Sequence, residues 1–127
     1  LFRSDCQRRA FFLSAGKLWK AGGWDGIFRS APHCVIVANA KNATCVEQDP
    51  LIYLSYFELM AQARGIGTLW CGLLYWCLRD VLPDFLPRLG IPDTHQLGYA
   101  MLFGYPSINY RRTVETRSAL VRHIGWN

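Results

Sequence analysis

Residues 66–78, IGTLWCGLLYWCL, contain no charge over thirteen positions, and this run constrains the architecture more than any other feature of the chain. Its apolar surface has to be taken out of water. A helix that crosses a hydrocarbon core takes about twenty residues. Glu58, Gln62 and Arg64 upstream and Arg79 and Asp80 downstream prevent the run from reaching that length. The expectation is a protein core, no membrane span and a cytoplasmic location. The 127 residues, 51% of them hydrophobic, suit one packed domain over 1–127. The sequence opens on Leu1, and its methionines are Met60 and Met101, so a piece of a longer protein is expected.

Local patterns around the run predict alternating element types. Residues 11–20 read as a short helix and the glycine-rich stretch 21–26 as a loop. After Ala31-Pro32, the β-branched run Cys34, Val35, Ile36 and Val37 reads as a buried strand. Asp49-Pro50 predicts a helix start, with Asp49 as N-cap and proline in the first turn. Leu51, Leu54, Phe57 or Glu58, and Ala61 follow at helical spacing, and Ile52, Tyr56, Leu59 and Ala63 make a second stripe, so a helix buried on most sides is expected. Gly65 ends it. Residues 67–72 read as an extended, backbone-accessible ribbon, 73–82 as a helix stopped by Pro83, and 84–89 as a further turn. Residues 97–103 read as a strand that leaves into Gly104-Tyr105-Pro106, followed by an Arg-rich tail over 107–127. This order is α+β. Two strands leave open edges, so more sheet is expected from upstream sequence or a second subunit.

Charge and chemistry-bearing residues narrow the function. Of 14 Lys+Arg, 11 are Arg, against 9 Asp+Glu. A planar guanidinium suits phosphate oxygens, which keeps a phosphate-bearing partner in view. Nucleic acid is not expected, because the cations lack interleaved stacking aromatics and no zinc-finger or RNP motif occurs. The five cysteines Cys6, Cys34, Cys45, Cys71 and Cys77 form no CxxC pair, which speaks for buried or incidental thiols in a reducing compartment and against a metal site. His33, His95 and His123 stand alone, and no GxSxG, P-loop or HExxH is present, so no catalytic residue is assigned.

Ala31-Pro32 before a strand, Asp49 opening a helix that carries Leu59-Met60-Ala61-Gln62-Ala63, then Gly65-Ile66-Gly67-Thr68-Leu69-Trp70-Cys71-Gly72, and finally Gly104-Tyr105-Pro106 stand in a specific order. In that order they resemble the nitroreductase family of FMN-dependent oxidoreductases, over roughly residues 31–117 and matching its C-terminal half. The run through Gly104-Tyr105-Pro106 to Tyr110 and Arg112 is most similar to a branch with members that carry an upstream ferredoxin domain. The resemblance implies a mixed or antiparallel sheet flanked by helices, incomplete at the N-terminus, and a homodimer. It implies FMN as cofactor, with Thr68, Leu69, Trp70, Cys71 and Gly72 along the isoalloxazine and Arg112 and Arg117 on the phosphate. It further implies electron transfer from NAD(P)H through flavin N5 to a nitroaromatic, quinone or similar acceptor. Arg8-Arg9-Ala10-Phe11-Phe12 does not match the family's Arg-rich N-terminal motif, so the cation beside flavin N1/O2 is absent or supplied from elsewhere. The alternative expectation is a non-catalytic remnant or interaction module of the same fold that binds no flavin.

Overall fold

Three antiparallel strands build the sheet, with the last strand in sequence lying between the other two. The computed structural model describes residues 5–108 and residue 122. In chain order these contain α1 (Asp5–Gly22), β1 (His33–Ala40), α2 (Gln48–Ala63), β2 (Gly67–Trp70), α3 (Gly72–Trp76) and β3 (His95–Gly104). A π-helical turn at Cys77–Val81 and 3-10 turns at Pro83–Phe85 and Pro87–Leu89 connect α3 to β3. The fold is α+β.

β3 takes the centre because it is apolar on both faces. Ala100, Met101 and Leu102 are all but inaccessible in succession. Side chains alternate across a sheet. Ala100 and Leu102 accordingly pack with Cys71, Leu74, Leu78, Ile91 and Leu97, while Met101 turns to the opposite face, where α2 crosses the strands. Burial on both faces explains why residues 97–103 alternate only weakly in sequence. The expected two strands become three because the ribbon after α2 joins the ladder, Gly67 opposite Gly104 and Trp70 opposite Met101.

The charge-free run is therefore divided among β2, α3 and the π-helical turn. That turn closes on a bond from the Leu82 N–H to the Cys77 carbonyl at 2.9 Å. Pro83, which cannot donate, starts the next turn. No helix among the described residues is long and apolar enough to cross a membrane. α1 is longer than the expected 11–20 and packs on the π-helical turn.

α2 corrects two expectations. It begins at Gln48 with Glu47 as N-cap and no side-chain capping bond. The turn at Cys45 runs straight into the helix, its carbonyl accepting from the amides of Gln48 and Asp49 at 3.1 and 3.0 Å. The Asp49 carboxylate instead accepts from Asn39 Nδ2 on β1 at 3.2 Å. Pro50 sits in the first turn, where amides have no intrahelical acceptor. The second correction concerns burial: only Pro50, Leu54 and Ala61 of α2 are buried. The stripe of Ile52, Tyr56, Leu59 and Ala63 is exposed, Tyr56 by 71%. One sheet covers one side of a helix, and the elements that pack on α2 are the three strands. At the other end Gly65 is left-handed, φ 71°, with bonds from its N–H to Gln62 O and from the Ile66 N–H to Ala61 O. This is the Schellman closure expected of a glycine there.

Gly98 fixes how closely α2 lies on the sheet. Val37 pairs with Tyr99 and Ala38 with Leu97, which leaves Gly98 as the extra residue of a bulge. A Cβ at Gly98 would stand 2.3 Å from Pro50 Cβ and 2.9 Å from the Val37 oxygen. Gly98→Ala is expected to destabilise the chain by about 1–3 kcal/mol, read as a lower urea midpoint. Gly16→Ala in α1, where nothing lies within 4 Å, is expected to stabilise it by roughly 0.5–1 kcal/mol.

Candidate functional site

At one end of the sheet two prolines close on two glycines. A Cβ on Gly104 would lie 2.7 Å from Pro32 Cδ, and one on Gly67 would lie 3.3 Å from Pro106 Cβ. Gly67 and Gly104 are themselves register partners. Ala31-Pro32, the start of the ribbon and Gly104-Tyr105-Pro106 thus converge from three distant parts of the chain. Between them is a cavity of about 490 Å³, lined by residues 28–32, 67–69 and 102–108. That volume falls in the range of cofactor pockets, roughly 300–1,000 Å³. A second cavity, about 470 Å³, lies between α1 and the π-helical turn, with Phe12, Trp19, Trp24 and Cys77 in its wall. It contains none of the converging motifs, and Asp25 is the one charged side chain among the described residues of its otherwise mostly apolar wall.

The ribbon offers alternate amides to a ligand. The Cys71 N–H donates to the Ala100 carbonyl at 3.0 Å. Amides along an antiparallel strand point in turn toward and away from the partner, so Leu69 also faces β3. Thr68 and Trp70 face outward, from an edge to which no strand among the described residues pairs. Of the five expected positions, Thr68 and Leu69 line the cavity, whereas Trp70, Cys71 and Gly72 continue beyond it. Gly72 opens α3, close to the Tyr99 hydroxyl.

Side chains on the two faces of β2 hold it in place. On the α2 side, Glu58 receives two bonds, from Thr68 Oγ1 to Oε1 at 3.3 Å and from Trp70 Nε1 to Oε2 at 2.9 Å. Trp70 meets Tyr99 edge to face, Tyr99 stacks on Tyr75, and the Arg79 guanidinium covers Tyr75. Asp80, at 2.6 Å, and the Tyr75 hydroxyl keep that guanidinium charged, well above its ordinary pKa. On the other face, the buried Cys71 Sγ donates to the Ile27 carbonyl at 3.5 Å. Burial pushes the Cys71 thiol pKa up, against the opposing pull of the Leu74 amide and Arg29. Among the described residues no cluster of three or more His, Cys, Asp or Glu side chains is placed to hold a metal ion.

Sequence reading missed two contributors. Glu58 looked like one position of a helical stripe, and its bonds appear only once β2 lies beside α2. The loop before β1 was read as glycine punctuation, yet Asp25 organises it: Oδ1 accepts from Ile27 and Phe28 and Oδ2 from Ser30, at 3.2, 2.7 and 3.0 Å. These bonds support Arg29 and Ser30 in left-handed conformations, φ 52° and 59°, which are uncommon for residues with a Cβ. The loop thereby brings Arg29 to the cavity wall. The Asp25-Gly26 pair is the sequence signal for such a turn. Arg112 and Arg117 lie outside the described residues.

The family model described as "Nitroreductase family" matches residues 7–105. The chain belongs to the nitroreductase family. Comparison with curated protein sequences finds no match. The nitroreductase fold is also seen in solved structures. An FMN-bound nitroreductase from Bacteroides fragilis superposes with a TM-score of 0.63 at 22% identity, covering 94% of this chain and 67% of that one. One from Desulfitobacterium hafniense gives 0.63 at 22%, covering 88% and 62%. An iodotyrosine deiodinase bound to FMN and 3-iodo-L-tyrosine gives 0.62 at 16%, covering 96% and 66%. This nitroreductase-family chain therefore spans about two thirds of these proteins, and FMN is the cofactor they carry.

Asp25 yields a pH prediction. Partial burial raises its pKa, but the amides of Ser30, Phe28 and Ile27 outweigh that and hold it below the ordinary 3.8. A carboxyl lowered by folding stabilises the protein above its unfolded pKa, and the gain disappears as pH falls through the folded value. Asp25→Ala is expected to cost about 1 kcal/mol at pH 7, a modest figure for a solvent-screened group. In denaturant titrations the gap to wild type should narrow as the pH is taken below 3.8.

Proposed function

We propose that this chain is an FMN-dependent oxidoreductase whose flavin lies at the open edge of β2, over the cavity between the two proline–glycine contacts. The observation that carries this reading is the convergence of the three motifs on one cavity beside outward-facing amides. The residues present fit such a group. Thr68 and Trp70 supply main-chain donors, glycines at 67 and 104 keep the approach open, and Leu69, 47% exposed, supplies apolar surface. Arg29 adds a cation at the wall, and Arg112 and Arg117 act on the phosphate. When bound, FMN would supply two-electron chemistry between NAD(P)H and a nitroaromatic, a quinone or a similar acceptor. The protein's part is orientation and charge placement, which requires no acid–base side chain.

The exposed α2 stripe supports a homodimer, since apolar surface of that extent marks an interaction face. The free thiols Cys34, Cys45, Cys71 and Cys77 support a reducing, cytoplasmic setting. One observation favours the competing interaction-module reading: the Cys71 amide is already taken by Ala100.

Titration of the purified chain with FMN is expected to quench flavin fluorescence at one equivalent. Replacing Arg112 and Arg117 together by Ala should weaken binding by about 2–4 kcal/mol if both charge-assisted bonds form. A chain that leaves FMN fluorescence untouched belongs to the interaction-module reading.

A further inference from the structure

Glu58 projects from α2 and accepts one hydrogen bond on each oxygen, from the indole N–H of Trp70 at 2.9 Å and from the hydroxyl of Thr68 at 3.3 Å. The shorter bond anchors the carboxylate, and the anchored carboxylate sets the direction of the hydroxyl. A carboxylate only accepts, and a threonine hydroxyl has a single proton. With that proton committed to Glu58, Thr68 has only lone pairs left for any other partner. The backbone N–H of the same residue points off the open edge of β2. Thr68 is among the residues that line the cavity, and it combines a side-chain acceptor on the α2 side of the strand with a main-chain donor off its edge. This is the complement of a cyclic amide edge, in which a C=O sits beside an N–H.

We propose that Glu58 is a positioning residue that sets the hydrogen-bond polarity of Thr68, so that the cavity selects a ring with an N–H next to a carbonyl. The inference rests on the flavin reading, because the pyrimidine edge of an isoalloxazine, N3–H beside C4=O, is such a ring. Glu58 touches no ligand itself and acts through Thr68. A glutamine at this position can still accept from Trp70 through its oxygen while its NH₂ donates to Thr68. The hydroxyl proton is then released toward the cavity, and the polarity of Thr68 reverses.

The test compares binding of FMN and of 3-methyl-FMN, in which N3 has no proton, by flavin fluorescence quenching. It uses wild type, Glu58→Gln and Thr68→Val. Any steric effect of the methyl group is common to all three proteins, so the change in the affinity ratio isolates the hydrogen bond. The preference for FMN is expected to fall by about three- to tenfold in both variants relative to wild type, the loss of one hydrogen bond. An identical ratio in all three proteins overturns the assignment and leaves the flavin reading intact. Failure of wild type to bind FMN overturns the flavin reading and this assignment with it. Should Glu58→Gln not fold, as judged by circular dichroism, Thr68→Val decides alone.

Discussion

Two proline rings resting on two glycines hold the working end of this molecule together. Pro32 lies where a side chain on Gly104 would have to be, and Pro106 closes on Gly67. Because the glycines also face each other across the β2–β3 ladder, the contacts lock the entry to β1, the start of β2 and the exit from β3 into one corner. A cavity forms there because rigid rings meet bare backbone and the chain cannot collapse further.

The sheet is narrow, and its centre does most of the burying. β3 sends Met101 to the α2 side and Ala100 and Leu102 to the α3 side, and β1 and β2 frame it. α2 can lie flat against this sheet only because the bulge residue lacks a side chain where Pro50 crosses. The helix carries Glu58 toward β2 and Asp49 toward β1, so it grips both outer strands by hydrogen bonds. Helix placement, strand placement and the chemistry of the corner are thus one mechanical problem.

What the sequence revealed was mostly local. The Gly65 closure, the stop at Pro83 and the β1 strand follow from backbone restrictions and β-branching, and each is visible in a few neighbouring residues, whereas of residues 66–78 only Cys71, Leu74, Cys77 and Leu78 are buried and Leu69 stays exposed. The order of the motifs was legible as a nitroreductase pattern, and the family match bears it out. Contacts made at a distance were not legible. Asp49 looked like a cap because the turn at Cys45 that displaces it carries no strong signal. The second stripe of α2 looked like core because periodicity reports amphipathic faces and not how many of them find a partner. Glu58 and Asp25 became functional candidates only when folding set donors from other segments around their oxygens.

The side of β2 to which no strand among the described residues pairs has one more consequence. A strand edge with protons pointing outward is a template for another chain, and β2 is short and flanked by glycine with no proline or charge of its own to blunt it. Any flat molecule whose rim accepts the Thr68 and Trp70 protons also caps that template. Occupancy of the corner and resistance to stray strand addition would then be two readings of the same pair of hydrogen bonds.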